Sequence, residues 1–580
     1  MTGASSAIRI DFVKYLPIEI VSVILDYFEV LELFKLLGVS RAWKNRLLAF
    51  NKLWSNVIIH DDDLNLIVVD ALADIAHKVE RLKLRSVWGD DTKNPCGRKI
   101  FNLIKNGAFL TLERLDLMDY TIPREYDIYH LLDGVANTLI SLKLKPPESE
   151  QFHPIYLENI VSICKRLEQF WCPPNIAVSP PPRSFSTQAI IHGNTTIIPT
   201  TVTSTSLKQL IVDPDGHTPD HFVKRIVSLC PNIRRLSIQR CSHQMLDVIQ
   251  QHYGNQLQYL LFNASHGTSW ASSCYSKWVP QVEICVIAQQ QEQYQKPEGR
   301  DNNKLIRREE KGLRYLSVYQ FPKSSCVSLI HQHEKTLEEL HLSFVWMDGQ
   351  MTDEATTAAF ETIGKLTNLR VLGLDCCFHL PQTVVTILTR VSVETLHSLY
   401  LISIDLSTDR RVLPLIKQLT HLKHLFVGSM TKVDYNDLIQ LIEHFSNPSP
   451  TSNSSCLQTI SISGNDLILD DRLLLAIARI RTLKKISIID PRQITEKGVD
   501  QFCRTLQRLN SGSLRSLVFE RVHTVSNTSL QYLALIPNLK KIILRYVKSN
   551  KLTREGVTKL LGDRVIIHDE AYRSTCQRYL

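Results

Sequence analysis

Residues 396–427 read LHSLYLISIDLSTDRRVLPLIKQLTHLKHLFV, and they contain the pattern on which the fold depends. The hexapeptide LHSLYL at Leu396 and the hexapeptide LKHLFV at Leu422 share one arrangement, apolar-x-x-apolar-x-apolar. The alternation at the end of each hexapeptide predicts a short strand with one buried face. The stretch between the two hexapeptides is long enough for a turn and a helix.

The same hexapeptide recurs along most of the 580-residue chain. Its sixteen copies begin at residues 79, 112, 139, 167, 207, 233, 257, 313, 337, 369, 396, 422, 457, 483, 514 and 539. Helical spacing often lies between copies, as in Leu438, Leu441, Ile442 and Phe445. Units of strand, turn and helix can stack only as a solenoid with a parallel sheet on one side.

This repeat resembles the leucine-rich repeat, whose units run at roughly 20–29 residues. The steps here are commonly 24 to 28 residues, for example from 233 to 257 and from 396 to 422. The resemblance implies an α/β solenoid, a horseshoe with a concave parallel sheet.

Residues 16–54 read LPIEIVSVILDYFEVLELFKLLGVSRAWKNRLLAFNKLW and have a different pattern. Pro17 favours a helix start, Gly38 a helix end and Ser40 an N-cap, so three helices are predicted. The apolar positions are Ile20, Ile24, Leu25 and Phe28, then Leu33, Leu36 and Leu37, then Trp43, Leu47 and Phe50. So small a helical unit cannot bury all of them, and the surplus predicts a partner.

These helices resemble the F-box. The family pattern is present as Leu16-Pro17-x-Glu19-Ile20, then Val39-Ser40-Arg41-x-Trp43, and finally Leu53-Trp54. The sequence departs from that pattern in two places: Phe28 replaces a usual Leu, and Glu29-Val30 replaces a usual Pro-containing turn. The resemblance implies binding to a Skp-type adaptor and, through it, a cullin. The adaptor-binding residues would be Leu16, Pro17, Ile20, Ile24, Leu25, Phe28, Leu33, Val39 and Trp43. The alternative interpretation is a helical cap that closes the end of a repeat domain.

Three further details resemble the cysteine-containing repeats of F-box/leucine-rich-repeat proteins. These are ITEKGV from Ile494, LTREGV from Leu552, and Cys241 soon after its strand. Thr495 and Thr553 are predicted N-caps. Most copies lack this signature.

Composition and charge set limits on the class of protein. The chain is 44% hydrophobic and 22% charged, with net charge +9, and basic residues form only pairs such as Arg307-Arg308 and Lys484-Lys485. Neither a nucleic-acid nor a membrane partner is expected, because no dense basic block and no long apolar run is present. Thirteen scattered cysteines without a CxxC pair and the absence of a signal-peptide pattern favour the cytoplasm, the nucleus or both.

Two long gaps interrupt the repeat. One, between copies 167 and 207, is rich in Pro, Ser and Thr; the other, between 257 and 313, is polar and charged. Both are predicted to project as loops, and the second has the alternative of a diverged repeat at VEICVI, residues 282–287. The predicted domains are an F-box-like domain at 12–59, a linker or cap at 60–78, and a solenoid at 79–570 with insertions near 173–206 and 263–312.

The sequence contains no pattern for catalysis, a metal or a cofactor. Nucleophile-elbow, P-loop, HExxH and GxGxxG motifs are absent. His331, His333 and Glu334 are interpreted as solvated residues on the convex side rather than metal ligands. Cys376-Cys377 is interpreted as small apolar packing.

The concave sheet is the predicted binding face. Two positions in each hexapeptide point away from the leucine core. They hold Arg81, Lys83, Arg114 and Lys143, then Trp171, Tyr259, Tyr315, His341, Tyr400 and Phe426, then Lys485 and Lys541. Large rings give contact area at low entropy cost, so the middle group is the predicted substrate-binding set. The alternative is that strands simply favour aromatic residues.

Together these resemblances imply a non-catalytic substrate receptor of an SCF-type ubiquitin ligase. The alternative is a leucine-rich-repeat scaffold that acts outside a ligase. An enzyme such as a hydrolase is disfavoured because its motifs are missing.

Overall fold

A computed structural model describes much of the chain. The described residues are 15–25, 27–28, 30–60, 65–85, 95–119, 128–144, 156–172, 203–212, 220–239, 241–242, 244–263, 312–319, 324–344, 353–375, 381–391, 394–405, 409–428, 433–446, 457–463, 469–491, 493–509, 512–545, 547, 557, 559–560 and 565–568. They form two compact units: unit 1 runs to Leu257, and unit 2 begins at Gln258.

Unit 1 begins with helices and continues as a parallel sheet. The first helices are α1 Ile18–Leu25, α2 Val30–Leu37, α3 Arg41–Ala49 and α4 Asn51–Trp54. The strands are β1 Asn56–His60, β2 Arg81–Arg85, β3 Arg114–Asp119, β4 Ser141–Leu144, β5 Gln169–Cys172, β6 Gln209–Val212 and β7 Arg235–Gln239. The intervening helices are α5 Leu66–Ile75, α6 Pro95–Lys105, α7 Ile128–Asp133, α8 Leu157–Ile163, α9 Asp220–Leu229 and α10 Gln244–Tyr253.

Unit 2 repeats the same strand-and-helix plan. Its strands are β8 Tyr259–Asn263, β9 Tyr315–Tyr319, β10 Glu339–Ser343, β11 Val371–Asp375, β12 Ser398–Ile402, β13 His424–Gly428, β14 Thr459–Ser463, β15 Lys485–Ile489, β16 Ser516–Glu520, β17 Lys541–Arg545 and β18 Val565–His568. Its helices are α11 Ser324–Gln332, α12 Asp353–Gly364, α13 Pro381–Arg390, α14 Val412–Lys417, α15 Tyr435–Ser446, α16 Asp471–Ala478, α17 Glu496–Leu509 and α18 Asn527–Ala534.

The N-terminal helices begin and end where the sequence predicts. Ser40 has extended backbone and its hydroxyl accepts a hydrogen bond from the Trp43 N–H at 3.2 Å, so it is the N-cap of α3. Residue Gly38 follows α2 directly, and its N–H donates to the Lys35 carbonyl at 3.1 Å. The three predicted helices are therefore confirmed, and the short α4 is added after them.

Every hexapeptide copy becomes a strand, and each strand begins at the third residue of its copy. The three apolar positions face the interior: Leu396, Leu399 and Leu401 are each 0% exposed. Burying one such side chain contributes about 1.5–3 kcal/mol, so each repeat stabilises itself mainly through these leucines. The prediction of an α/β fold with N-terminal helices and parallel repeats is confirmed.

Two strands were not predicted. Strand β1 pairs with β2 and is preceded by Trp54, which takes the first apolar position of the hexapeptide as well as ending the helical domain. Strand β18 pairs with β17, and in its register Gly562 stands at the position of the first leucine. The hexapeptide pattern did not identify these two copies, because an aromatic residue and a glycine stand at the position of the first leucine.

The long gaps do not interrupt the sheets. Strand β5 pairs directly with β6, and β8 pairs directly with β9. The diverged repeat considered at residues 282–287 falls within the second gap and stays a prediction. The gap segments themselves, 173–202 and 264–311, lie outside the described residues, as do Cys376-Cys377 and Thr553.

Polar contacts at helix starts join neighbouring repeats. The Asp471 carboxylate on α16 accepts from the Thr495 N–H at 2.8 Å and from its hydroxyl at 2.6 Å. That hydroxyl accepts from the Gly498 N–H at 3.0 Å, which confirms Thr495 as an N-cap. A Cβ at Gly498 would lie 1.8 Å from Asp471 Oδ1, so this close approach requires glycine. In unit 1, Asp220 holds Ser242 in the same way.

Candidate functional site

The N-terminal helices leave large apolar side chains exposed. Val23 on α1 is 57% exposed, Tyr27 after it is 85% exposed, and Val39 between α2 and α3 is 61% exposed. Ile18, Ile20 and Phe28 are exposed as well. So many large apolar side chains in water on one small domain indicate a surface that another protein covers.

The predicted adaptor-binding residues fall into three groups. Pro17, Ile20, Phe28 and Val39 are exposed, while Leu16 and Ile24 are half-buried. Leu25, Leu33 and Trp43 are buried in the helical domain itself. Direct adaptor contact stays a prediction for the whole set, and the exposed members are the ones a partner can reach in this conformation.

The buried face of α1 differs from the apolar positions that were named from its sequence. The buried face of α1 consists of Val21 and Leu25, four residues apart, whereas Ile20 is exposed and Ile24 is half-buried. Helix α1 is apolar on nearly every side, so spacing alone did not separate its two faces. Ile18, Val23 and Tyr27 were missed for this reason. No signal in the sequence could have found them, because the buried pair Val21/Leu25 has the same spacing as the pair Ile20/Ile24.

The helical domain is fixed to the sheet of unit 1. Only Ser55 separates α4 from β1, and its carbonyl accepts from the N–H groups of Glu80 and Arg81 at 3.0 and 2.8 Å. The Trp54 indole N–H donates to the Leu47 carbonyl at 2.9 Å, and its ring stacks on Phe34 with centroids 5.7 Å apart. Because Trp54 is fully buried, no free linker separates the helices from the first strand.

In unit 2, aromatic side chains form a row on the outer face of the sheet, opposite the leucines. Successive ring centroids lie 4.1, 5.6, 5.8 and 6.1 Å apart. We call this set the ring row: Tyr259, Tyr315, His341, Tyr400 and Phe426. Tyr400 is half-buried, and the other four are buried against one another. The structure thus brings together five of the six residues predicted for substrate binding.

The ring row does not follow one position of the repeat. Tyr315 pairs in register with Glu339, and His341 pairs with Ser317, so Tyr259 and Tyr315 occupy the third position and the others the fifth. The aromatic residues therefore use both outward positions of the hexapeptide. Their contact is diagonal between β9 and β10, which long side chains can bridge.

Gly373 makes the middle of the ring row possible. It lies on β11 in register between His341 and Tyr400, so the two rings meet across a residue without a side chain. A Cβ at Gly373 would lie 2.2 Å from His341 Nδ1. The sequence shows a glycine in a strand, but only the register reveals which rings need its space.

His341 is a buried neutral histidine. Burial lowers its pKa to about 4, and its Nε2 has no hydrogen-bond partner among the described residues. The half-buried His424 also has its pKa lowered to about 4, first by burial and then by cations that include Lys423 and Lys485. Both imidazoles are therefore uncharged near neutral pH.

The corresponding positions in unit 1 are charged. Lys83, Asp116, Lys143 and Trp171 are neighbours in register on β2 to β5, and we call them the charged row. Lys83 Nζ lies 3.0 Å from an Asp116 carboxylate oxygen, and Lys143 Nζ lies 5.1 Å from the centre of the Trp171 ring. Trp171, the sixth residue predicted for substrate binding, is thus in a cation–π contact rather than an aromatic row.

The remaining predicted cations differ in their surroundings. Arg81 and Arg114 are neighbours in register, and the pKa of Arg114 is lowered by burial and by the charge of Arg81. Lys485 is half-buried and Lys541 is exposed in unit 2. Like-charged neighbours on one sheet face indicate a surface suited to anions.

His331 and His333 have separate structural roles. His331 lies 3.5 Å from Glu334 at the surface. His333 is buried, its Nδ1 accepts from the Leu313 N–H at 3.2 Å, and burial lowers its pKa. The expectation that both are solvated is wrong for His333, because its ring satisfies the backbone N–H of Leu313 at the start of the same repeat.

Metal and membrane features are absent from the part of the chain that the structure describes. No group of three or more His, Cys, Asp or Glu side chains in these ranges could hold a metal ion. None of the helices seen there is long and apolar enough to cross a bilayer. Burial raises the pKa of the Cys164, Cys230 and Cys241 thiols to about 12, so these cysteines serve as core side chains.

Comparison with known families identifies the helical domain. Residues 15–54 match the model of the F-box domain. The chain therefore carries an F-box domain, followed by repeated strand-and-helix units whose strands form parallel sheets. A comparison with curated proteins finds no match.

Among solved structures, the chain is similar to the Rad7 and Elc1 complex in yeast, with 14% identity and a TM-score of 0.37 over 63% of this chain and 75% of that one. It is also similar to the LRR protein LIC12759 of Leptospira interrogans, with 14% identity and a TM-score of 0.26 over 86% of this chain and 92% of that one.

Proposed function

We propose that this chain is the substrate-recognition subunit of an SCF-type ubiquitin ligase. Its F-box would bind a Skp-type adaptor and, through it, a cullin, and its repeat units would hold a protein substrate. Rate enhancement would come from proximity to the ubiquitin-loading enzyme, which needs no catalytic group on this chain.

The observation that carries the proposal is the exposed apolar surface of the F-box. Ile20, Val23 and Val39 project from helices whose own core is already filled by Val21, Leu25 and Phe34. Packing of these exposed side chains against an adaptor would contribute about 1 kcal/mol or more for each.

Co-purification of the tagged full chain tests the adaptor contact. We expect Ile20→Ala, Val23→Ala and Val39→Ala together to lower adaptor affinity by about a hundredfold, since the three losses add to about 3 kcal/mol. Leu25 is unsuitable, because truncating a buried leucine costs about 2–5 kcal/mol of stability.

Leu110→Ala with Leu535→Ala is the matched control, because both leucines are exposed and lie outside the F-box. Adaptor binding that survives the triple substitution in a folded chain would refute the proposal. Adaptor recovered without a cullin would instead support the alternative, a scaffold outside a ligase.

The ring row is the proposed substrate contact in unit 2, and Tyr400 is its most accessible tyrosine. Tyr and Trp dominate binding hot spots, each worth roughly 2 kcal/mol or more on truncation. Tyr400→Ala should therefore reduce recovery of proximity-labelled substrates by at least about tenfold without reducing adaptor binding. Tyr532→Ala, a half-buried tyrosine on α18, is the control. Equal loss in both variants would place recognition elsewhere.

A further inference from the structure

A row of basic side chains runs along the strand starts of unit 2. Its members are the residues that directly precede the strands from β11 to β17, and most are Lys or Arg. We call it the basic row: Arg370, His397, Lys423, Gln458, Lys484, Arg515 and Lys540. In sequence its members are 25 to 35 residues apart, so no charged block marks it.

Backbone hydrogen bonds hold the basic row in register. The His397 N–H donates to the Arg370 carbonyl at 2.8 Å, and the same link continues strand by strand to the Lys540 N–H, which donates to the Arg515 carbonyl at 2.9 Å. Neighbouring strands lie about 4.8 Å apart, so seven positions span about 29 Å. Lys485 and Lys541 add charge one residue further along their strands.

The charges of the basic row are not neutralised within the described residues. No described carboxylate lies within ion-pair distance of Arg370, Lys423, Lys484, Arg515 or Lys540, and Lys484 Nζ donates only to the Gln458 side-chain oxygen at 3.0 Å. At the other ends of the strands the pattern reverses. There Arg521 pairs with Asp490 at 3.5 Å and Arg545 with Glu520 at 3.6 Å.

The environment of His424 is consistent with a positive field here. Its pKa is lowered mainly by burial, and Lys423, His397, Lys485 and Lys484 lower it further. Four cationic or ionisable neighbours acting on one imidazole show that the basic row and its flanking residues act on the same region of the sheet.

The arrangement favours a protein segment over nucleic acid or a single phosphate. Single-stranded nucleic acid needs open ring faces for base stacking, but the ring-row members on β12 and β13, Tyr400 and Phe426, stack on each other with centroids 6.1 Å apart. A phosphate needs several donors that converge on one point. Here the Lys and Arg residues of the basic row are distributed over β11, β13, β15, β16 and β17, which fits charges spread along an extended chain.

We propose that the basic row binds an acidic segment of the substrate, a run of about eight or nine Asp and Glu residues lying across β11 to β17. The proposal rests on the proposed function in one respect, because it takes the partner to be the substrate. It adds the chemistry that the substrate must present.

Fluorescence anisotropy with the full chain tests the proposal. The probe is a labelled nine-residue peptide of alternating Asp and Glu, with the Asn/Gln peptide of the same length as its neutral counterpart. We expect salt-sensitive binding of the acidic probe alone. Lys484→Glu, Arg515→Glu and Lys540→Glu together should weaken it by at least about tenfold, because they reverse the field at the contact.

Lys335→Glu, Lys365→Glu and Arg508→Glu form the control, since these exposed cations of unit 2 lie off the basic row. Equal loss in the control and the test variant would overturn the proposal. So would tighter binding of a single-stranded oligonucleotide, of anionic lipid vesicles, or of a neutral peptide with one phosphoserine. Adaptor co-purification of the same variants should be unchanged, which separates a failure of this inference from a failure of the F-box assignment.

Discussion

The outer sheet faces of the two units are built on the same repeat but have opposite chemistry. In unit 1 the charged row alternates Lys83, Asp116 and Lys143 before it reaches Trp171. In unit 2 the ring row packs aromatic groups against one another. The inner leucines are the same in both units, so the fold constrains only those positions. The outer positions can therefore differ between the units, and the side chains of the ring row in unit 2 are more buried than those of the charged row in unit 1.

Truncation of one residue in each row should show that difference most clearly. Tyr315 is buried and stacked on Tyr259, so Tyr315→Ala should lower the free energy of unfolding by about 3–5 kcal/mol. Lys83→Ala should cost about 1 kcal/mol or less, because its ion pair with Asp116 is partly exposed. Urea unfolding of both variants measures the contrast, and similar losses would show that the two rows are energetically alike.

Gly373→Ala should damage the ring row without removing any ring. The new methyl group would meet His341 Nδ1, and overpacking of this kind costs about 1–3 kcal/mol. Gly512→Ala is the control, because a Cβ there meets no atom within 4 Å. Differential scanning calorimetry should show a lower melting temperature for the first variant only. A neutral result at Gly373 would mean that the rings do not need this gap.

Acid should weaken unit 2 through His341. Its folded pKa is about 4 against an ordinary 6.5, so the unfolded chain takes up a proton first as pH falls. The stability is fully present above pH 6.5 and is lost between pH 6.5 and about 4, with roughly 1–2 kcal/mol gone at pH 5.5.

Urea midpoints at pH 7.5 and 5.5 measure this loss. His341→Leu should shrink the difference between the two midpoints, because it removes the buried imidazole. If His341→Leu keeps the full pH dependence, other groups carry it.

The smallest effect is expected for the cation–π contact of the charged row. A double-mutant cycle of Lys143→Ala and Trp171→Leu should give a coupling of about 0.5–1 kcal/mol, because the site is half-buried. Lys165→Ala replaces Lys143→Ala in the control cycle, since Lys165 is an exposed lysine on the same unit. Equal coupling in both cycles would show that the Lys143 contact adds nothing specific.

The sequence predicted the parts of the fold that depend on local pattern. Each apolar hexapeptide became a strand, and Ser40 and Thr495 became N-caps, because these signals lie within a few residues. Strand β1 was not predicted, because Trp54 both ends the F-box and takes the first apolar position of the first repeat. The basic row occupies the second position of the hexapeptide, so a comparison of all copies at that position could have revealed it. Lys484 taken alone is only one of two adjacent basic residues.

The candidate sites were harder to predict because they depend on register and on burial. Alternation correctly placed Tyr400 and His341 on the outer face, yet it could not show that Gly373 lets them meet. Helix α1 is apolar all round, so only tertiary packing could show that Leu25 points inward and Val23 outward.

Because the single residue Ser55 joins the F-box to the sheet of unit 1, the sheet fixes the distance between the F-box and each later strand. Because α4 runs directly into β1, the F-box and the first strand move as one body. Every strand added after β1 carries the next outer-face residue about 4.8 Å further from the F-box. The number of repeats in unit 1, rather than a flexible tether, then sets how far from the adaptor a residue on β5 or β7 is presented. Deleting one whole repeat would move that residue by one strand spacing while leaving its local structure intact.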